Sequence, residues 1–88
     1  MRILIDPHTA ERATERGVSS SEITETICLG ADIPAKHGRM GKSLVFGYNQ
    51  VRNGKMYPQK KVEVYFAVSD DTIVTVTVYA FYGQWEDL

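Results

Sequence analysis

The residue order predicts an α+β domain made of a short N-terminal strand, a two-helix hairpin and a three-stranded antiparallel meander, with the helices on one face of the sheet. Three observations carry that prediction. Asp6-Pro7, Gly17, the Ser19-x-x-Glu22 spacing and Gly30 supply the starts and stops of two short helices. From Ser43 onward apolar residues alternate with a period of two, the mark of half-buried strands. Between the alternating runs stand Arg52-Asn53-Gly54-Lys55 and Ser69-Asp70-Asp71, residue types that reverse a chain.

Residues 2–5 read as the first strand, ended by Asp6-Pro7, an N-cap side chain followed by the imino acid that suits a first helical position. The first helix then runs to Arg16, and Gly17 stops it. Ser19 and Glu22 have capping-box spacing, so a second helix is expected over residues 20–29, ending at Gly30, with Ile23, Ile27 and Cys28 as its buried face. Residues 31–41 hold Pro34, Gly38 and Gly41 without an apolar period and read as a loop.

Residues 43–51 form the first meander strand, with Leu44, Phe46 and Tyr48 on one side; the turn after it is expected to extend through residues 56–59. Residues 60–68 follow, placing Val62, Val64, Phe66 and Val68 on one face and Glu63, Tyr65 and Ala67 on the other. In the last strand, residues 72–82, strict alternation sets Val74, Val76, Val78 and Ala80 against Ile73, Thr75, Thr77, Tyr79 and Phe81. The valine side is the natural core. The opposite face then presents Tyr65, Thr75, Thr77 and Tyr79.

At 88 residues the chain is a single domain, residues 1–88, and 43% hydrophobic residues suffice for one core. One cysteine excludes a disulfide framework. No secretory leader pattern and no membrane-length apolar run is present, so a soluble cytoplasmic protein is expected, monomeric or a weak homodimer using the last strand as an edge.

The net charge of -1 hides a segregation. Lys36, Arg39, Lys42, Arg52, Lys55, Lys60 and Lys61 fall between Ile33 and Val62 with no Asp or Glu among them. Such a block attracts phosphates, or it serves as a solvated edge that keeps sheets from aggregating. A second cationic feature lies on the first helix, where His8, Arg12 and Arg16 recur every four residues, with Ala10 and Ala13 roughly opposite. Like charges at that spacing oppose the helix by roughly 0.2–0.5 kcal/mol per pair. The stripe is read as a phosphate-facing edge completed by Lys36, His37, Arg39 and Lys42.

The run His8-x-x-Glu11-Arg12-x-x-Glu15-Arg16-Gly17-Val18-Ser19, then Glu22-Ile23 and the terminal Thr75-Val76-Thr77-Val78-Tyr79, resembles an uncharacterised bacterial domain family thought to be related to RelE-type toxins, in the barnase-EndoU-colicin-RelE group. The resemblance implies a RelE-like fold, an RNA ligand, a cognate antitoxin partner and metal-independent RNA cleavage without a cofactor. In that reaction a 2′-hydroxyl attacks its own phosphodiester, which requires a base, an acid and fixed positive charge. His8, Arg12 and Tyr79 are the catalytic candidates. Arg16, Lys36, His37, Arg39, Lys42, Tyr65, Thr75 and Thr77 are the RNA-contacting ones. Active toxins gather their basic residues on the late strands, whereas here none follows Lys61.

Each candidate also has a purely structural reading. His8 can close the first turn beside Asp6, and Arg12 and Arg16 can pair with Glu15, with strand-edge carbonyls or with Glu86-Asp87. Thr75 and Thr77 suit strands on propensity alone, Tyr65 and Tyr79 can form a cross-strand pair, and Phe81 and Trp85 can cover an edge or a protein interface. His8 and His37 alone are too few for a metal site. The competing function is therefore a noncatalytic nucleic-acid- or protein-interaction module.

Overall fold

In the computed structural model, which describes residues 1–85, the chain runs β1 (Arg2–Leu4), α1 (Pro7–Arg16), α2 (Ser20–Leu29), β2 (Ala31–Ile33), β3 (Met40–Arg52), β4 (Lys55–Ser69) and β5 (Thr72–Gly83). The α+β class stands, but the five strands form one mixed sheet in the order β1-β5-β4-β3-β2, with β1 parallel to β5 and the other pairs antiparallel. The extra strand is β2, which lies in the stretch expected to be loop and pairs with residues 41–43 of β3. A three-residue edge strand is too short to carry a period. It forms because the turn before β3 folds the chain back, with positive φ at His37 (59°) and Gly38 (71°) and Arg39 N–H donating to the Lys36 carbonyl at 3.2 Å.

The β3–β4 hairpin closes through only Asn53 and Gly54, both at positive φ as a two-residue mirror-image turn requires, so residues 56–59 belong to β4 and not to the turn. Asp70 and Asp71 do the same between β4 and β5. Register slips once in β3, where Tyr48 and Asn49 together face Pro58, a residue with no N–H for the ladder.

Both helices lie against the sheet face formed by Val62, Val64, Phe66 and Val78, which with Ala13, Val18, Ile23, Ile27 and Ile73 make the core. The burial of Ile23, Thr26 and Ile27 defines the inward arc of α2, and Cys28 lies about 100° beyond Ile27; it is exposed, contrary to the expectation from sequence. On α1 the inward residues are Thr9 and Ala13, while Ala10 is exposed. The cationic stripe flanks this arc rather than opposing it: Arg16 is about 20° from Thr9, Arg12 about 60° and His8 about 100°. Exposure follows the same order, from half-buried Arg16 to exposed His8.

The largest departure from strict alternation is in β5. Tyr65 pairs with Thr77 and Phe66 with Thr75, leaving Val76 as an extra residue. This bulge reverses the phase, so Ile73 and Thr75 point to the helices together with Val78, while Thr77, Tyr79 and Phe81 point away. Thr75 is thus not on the open face. It is 2% exposed, and its Oγ1 donates to the Asp6 carboxylate at 3.0 Å and accepts from Asp6 N–H at 3.1 Å.

The end of α1 shows how the core-side cations are used. Gly17 adopts φ 74°, the left-handed cap conformation, and a Cβ there would stand 2.7 Å from the Tyr82 hydroxyl. The last carbonyls of the helix accept from three distant donors: Glu15 from Arg52 at 3.2 Å, Arg16 from the Tyr82 hydroxyl at 2.6 Å and Gly17 from Lys60 at 2.8 Å. Lys60 also pairs with Glu22 at 2.9 Å. Among the described residues no helix is long and apolar enough to cross a membrane.

Candidate functional site

The face of the sheet away from the helices is laid out in cross-strand rows: Gly41–Tyr65–Thr77, Ser43–Glu63–Tyr79 and Val45–Lys61–Phe81. The first row packs closely because Gly41 is glycine; a Cβ there would lie 3.1 Å from the Tyr65 ring and 2.8 Å from Ile33. Tyr65 and Tyr79 then meet edge to face with ring centroids 6.0 Å apart.

Beside the Lys36–Arg39 turn this face carries an open cavity of about 440 Å³. Ala35, Lys36, His37 and Arg39 form its roof, and Glu63, Tyr65, Val76, Thr77, Tyr79 and Phe81 form its floor and far wall. Among the described residues the side chains of Lys36, His37 and Arg39 have no hydrogen-bond or ion-pair partner. Arg16 reaches the rim from α1. Its Nη1 donates to the Val78 carbonyl at 2.6 Å on the stretch of β5 beyond the short β1 pairing, and its guanidinium carbon stands 4.8 Å from the centroid of the Tyr79 ring. The strand-edge carbonyl considered from sequence is therefore the partner of Arg16.

Among the described residues Glu63 is the only carboxylate lining the cavity. The Tyr65 hydroxyl donates to it at 3.4 Å, and the Lys61 ammonium lies 3.9 Å away. Burial pushes the Tyr65 phenol up from its ordinary value, and the adjacent Glu63 charge pushes it in the same direction, so Tyr65 stays protonated and a hydrogen-bond donor.

The structure thus gathers Lys36, His37, Arg39, Tyr65, Thr77 and Tyr79 around one cavity, with Arg16 at its rim. Four sequence candidates stand elsewhere. Thr75 is on the helix side, for the bulge described above. Lys42 stands opposite Val64, also on the helix side, with its Nζ 2.7 Å from Asp32. Arg12 folds back on Glu15 at 2.6 Å, and exposed His8 sits beside Asp6; neither lines the cavity. Burial raises the Asp6 carboxyl, but hydrogen bonds from Thr9 and Thr75 and the nearby His8 outweigh it and hold the group below the usual range. Glu86 and Asp87, the other proposed partners of the arginines, lie outside the described residues.

Sequence reasoning passed over Glu63 and Phe81 as site residues. The signal was present: alternation places Glu63 on the face of Tyr65, and it is the first acid after the basic block. Among the described residues no three His, Cys, Asp or Glu side chains converge, so the groups available for chemistry are one imidazole, one carboxylate, hydroxyls and fixed cations. No family model, curated protein or solved structure matches the chain.

Proposed function

We propose that this chain is an RNA-interacting domain of RelE-like arrangement, and that the cavity under the Lys36–Arg39 turn holds a phosphodiester and a base of a single strand. The observation that carries the reading is the set of Lys36, His37 and Arg39 side chains, without a partner among the described residues, beside an aromatic pair. Arg39 suits a phosphate through two parallel N–H donors, and Lys36 adds a point charge. The Tyr65–Tyr79 pair offers a ring face to a base, a contact worth about 1–3 kcal/mol.

The same cavity holds the groups that metal-independent cleavage needs. In that role the Glu63 carboxylate takes the 2′-hydroxyl proton as its oxygen attacks phosphorus. The His37 imidazolium protonates the departing 5′ oxygen, leaving a 2′,3′-cyclic phosphate. Arg39, Lys36 and, across Tyr79, Arg16 offset the charge that builds on the phosphorane. His37 and Glu63 replace His8 as the acid–base candidates, Arg39 and Lys36 replace Arg12 at the phosphate, and a cognate antitoxin would act by covering this face. The engagement of Glu63 by Tyr65 and Lys61 favours a second reading, a noncatalytic RNA-binding module.

One assay separates these. End-labelled single-stranded RNA is titrated with the protein at several salt concentrations and the products are resolved. Salt-dependent binding with cyclic-phosphate products, lost in His37→Ala and blocked by a 2′-deoxy substitution, is the result expected of the nuclease. Salt-dependent binding with intact RNA leaves the noncatalytic module. Absence of binding at low salt overturns both.

A further inference from the structure

We infer that Trp85, Phe81 and Lys61 form a second nucleotide subsite continuous with the cavity, so that the ligand is an unpaired strand running along β5 from Tyr79 toward Gly83. This deepens the RNA reading and rests on it. Phe81 belongs to both places: it lines the cavity, and its ring centroid lies 5.5 Å from the Lys61 ammonium. Lys61 in turn stands 5.2 Å from the Trp85 ring. A single ammonium is thus held between two rings, of which Phe81 is 44% and Trp85 40% exposed. That pairing supplies what one nucleotide presents, a π-face for the rings and a phosphate for the charge.

The Trp85 ring is held in place rather than left on a loose terminus. Its backbone N–H donates at 2.6 Å to the side-chain oxygen of Gln59, which is 3% exposed, and the ring lies over Gly83, 3.4 Å from where a Cβ would stand. Spacing along the strand fits a continuous path. Tyr79, Phe81 and Gly83 share one face, so successive platforms are about 7 Å apart. A duplex hides its ring faces in the stack and offers only edges, so rings that stack on bases select unpaired nucleotides. Charge complementarity favours nucleic acid over a protein partner: among the described residues Arg16, Lys36, Arg39 and Lys61 face or rim this surface, and Glu63 is the carboxylate set against them.

The chain has one tryptophan, so its fluorescence reads the subsite directly. The full-length protein is titrated with single-stranded RNA oligonucleotides of increasing length and with a blunt RNA duplex, following both tryptophan emission and the anisotropy of a label on the RNA. Saturable quenching by the single strands, absent with a mononucleotide and with the duplex, is expected. Trp85→Leu should weaken binding about five- to hundredfold by anisotropy, Trp85→Phe should restore most of it, and Lys61→Ala should weaken binding and flatten its salt dependence. Circular dichroism confirms that each variant folds. Binding seen by anisotropy with unchanged emission and an unaffected Trp85→Leu variant overturns the subsite while leaving the cavity reading intact. Quenching that persists at full affinity in a Lys36→Ala/Arg39→Ala variant overturns the cavity reading and leaves the subsite. An oligonucleotide that binds by neither signal overturns both, and the exposed rings are then a protein interface.

Discussion

On the helix side of the sheet, Arg52 stacks 4.7 Å from the Tyr82 ring and Lys60 lies 5.5 Å from that of Tyr48, and both cations end on carbonyls of α1. On the open side, Arg16 stacks on Tyr79 and donates to the Val78 carbonyl, and Lys61 lies between Phe81 and Trp85 with Glu63 3.9 Å away, while Lys36 and Arg39 line the cavity with no acceptor among the described residues. The residue types are nearly the same on the two faces. What differs is that the open face adds two cations, Lys36 and Arg39, whose hydrogen-bonding capacity is not used up internally among the described residues. A satisfied cation explains the fold, and one without an acceptor calls for a ligand; the basic block that looks continuous in sequence is therefore two populations in space.

The comparison breaks most sharply at Lys60. Its side chain is 6% exposed, and truncation takes the cationic partner from the half-buried Glu22 carboxylate, which keeps only the Ser19 N–H, and leaves the Gly17 carbonyl without its ammonium donor. Lys60→Ala is expected to cost about 3 kcal/mol of stability, read as a shift in urea midpoint. A loss below about 0.5 kcal/mol, the range of ordinary surface changes, would show that this cation is as dispensable to the fold as those of the open face.

The next effect is the pH dependence of the same pair. Burial raises the Glu22 carboxyl, but hydrogen bonds from Lys60 and the Ser19 backbone, with the Lys60 charge, outweigh it and hold the group below its ordinary value. Asp6 is lowered as well. A depressed folded value means that the stabilisation is complete above the unfolded values, about 4, and is lost as pH falls through the folded ones. Glu22→Gln should lower stability at neutral pH and flatten the acid limb. An acid limb as steep as that of the parent protein would assign the dependence to other carboxylates.

Smaller again is Gly41→Ala. The added methyl meets Ile33 and Tyr65 and should cost about 1–3 kcal/mol, while displacing the Tyr65 ring and weakening RNA binding more than an equally destabilising change in α2 does. Equal loss of binding in the two variants would detach Tyr65 from the site. The smallest stability effect belongs to Lys36→Ala and Arg39→Ala, within about 0.5 kcal/mol, with each reducing the salt slope of RNA binding by about one. A large drop in melting temperature in either would move these residues into the structural population.

Both helices, their caps, the positions of the two meander turns, though not the length of the first, and the valine face of β4 were legible in the residue order, because each rests on neighbours in sequence: Asp6 with Thr9, Ser19 with Glu22, Val62 with Val64. The site was legible only in part. Tyr65, Tyr79, Lys36, His37 and Arg39 were candidates, but their meeting depends on the turn that makes β2, an edge strand with no pattern of its own. The weight placed on His8 and Arg12 came from a true helical stripe whose distance from the packed face cannot be read from spacing. Thr75 was misplaced because a bulge leaves no compositional trace in a run of valines and threonines.

That one extra residue, Val76, has a consequence for how the open face can arise or disappear. Thr75 is anchored to Asp6, so a regular ladder that kept Val76 would swing Thr77, Tyr79 and Phe81 beneath the helices and send Val78 and Ala80 out to solvent, whereas deleting Val76 would straighten the strand and leave the two faces as they are. The surface is thus encoded by an irregularity of the backbone as much as by residue identity. A one-residue slip of β5 past β4 that smoothed the bulge would turn the open face inward without altering any side chain of the proposed site.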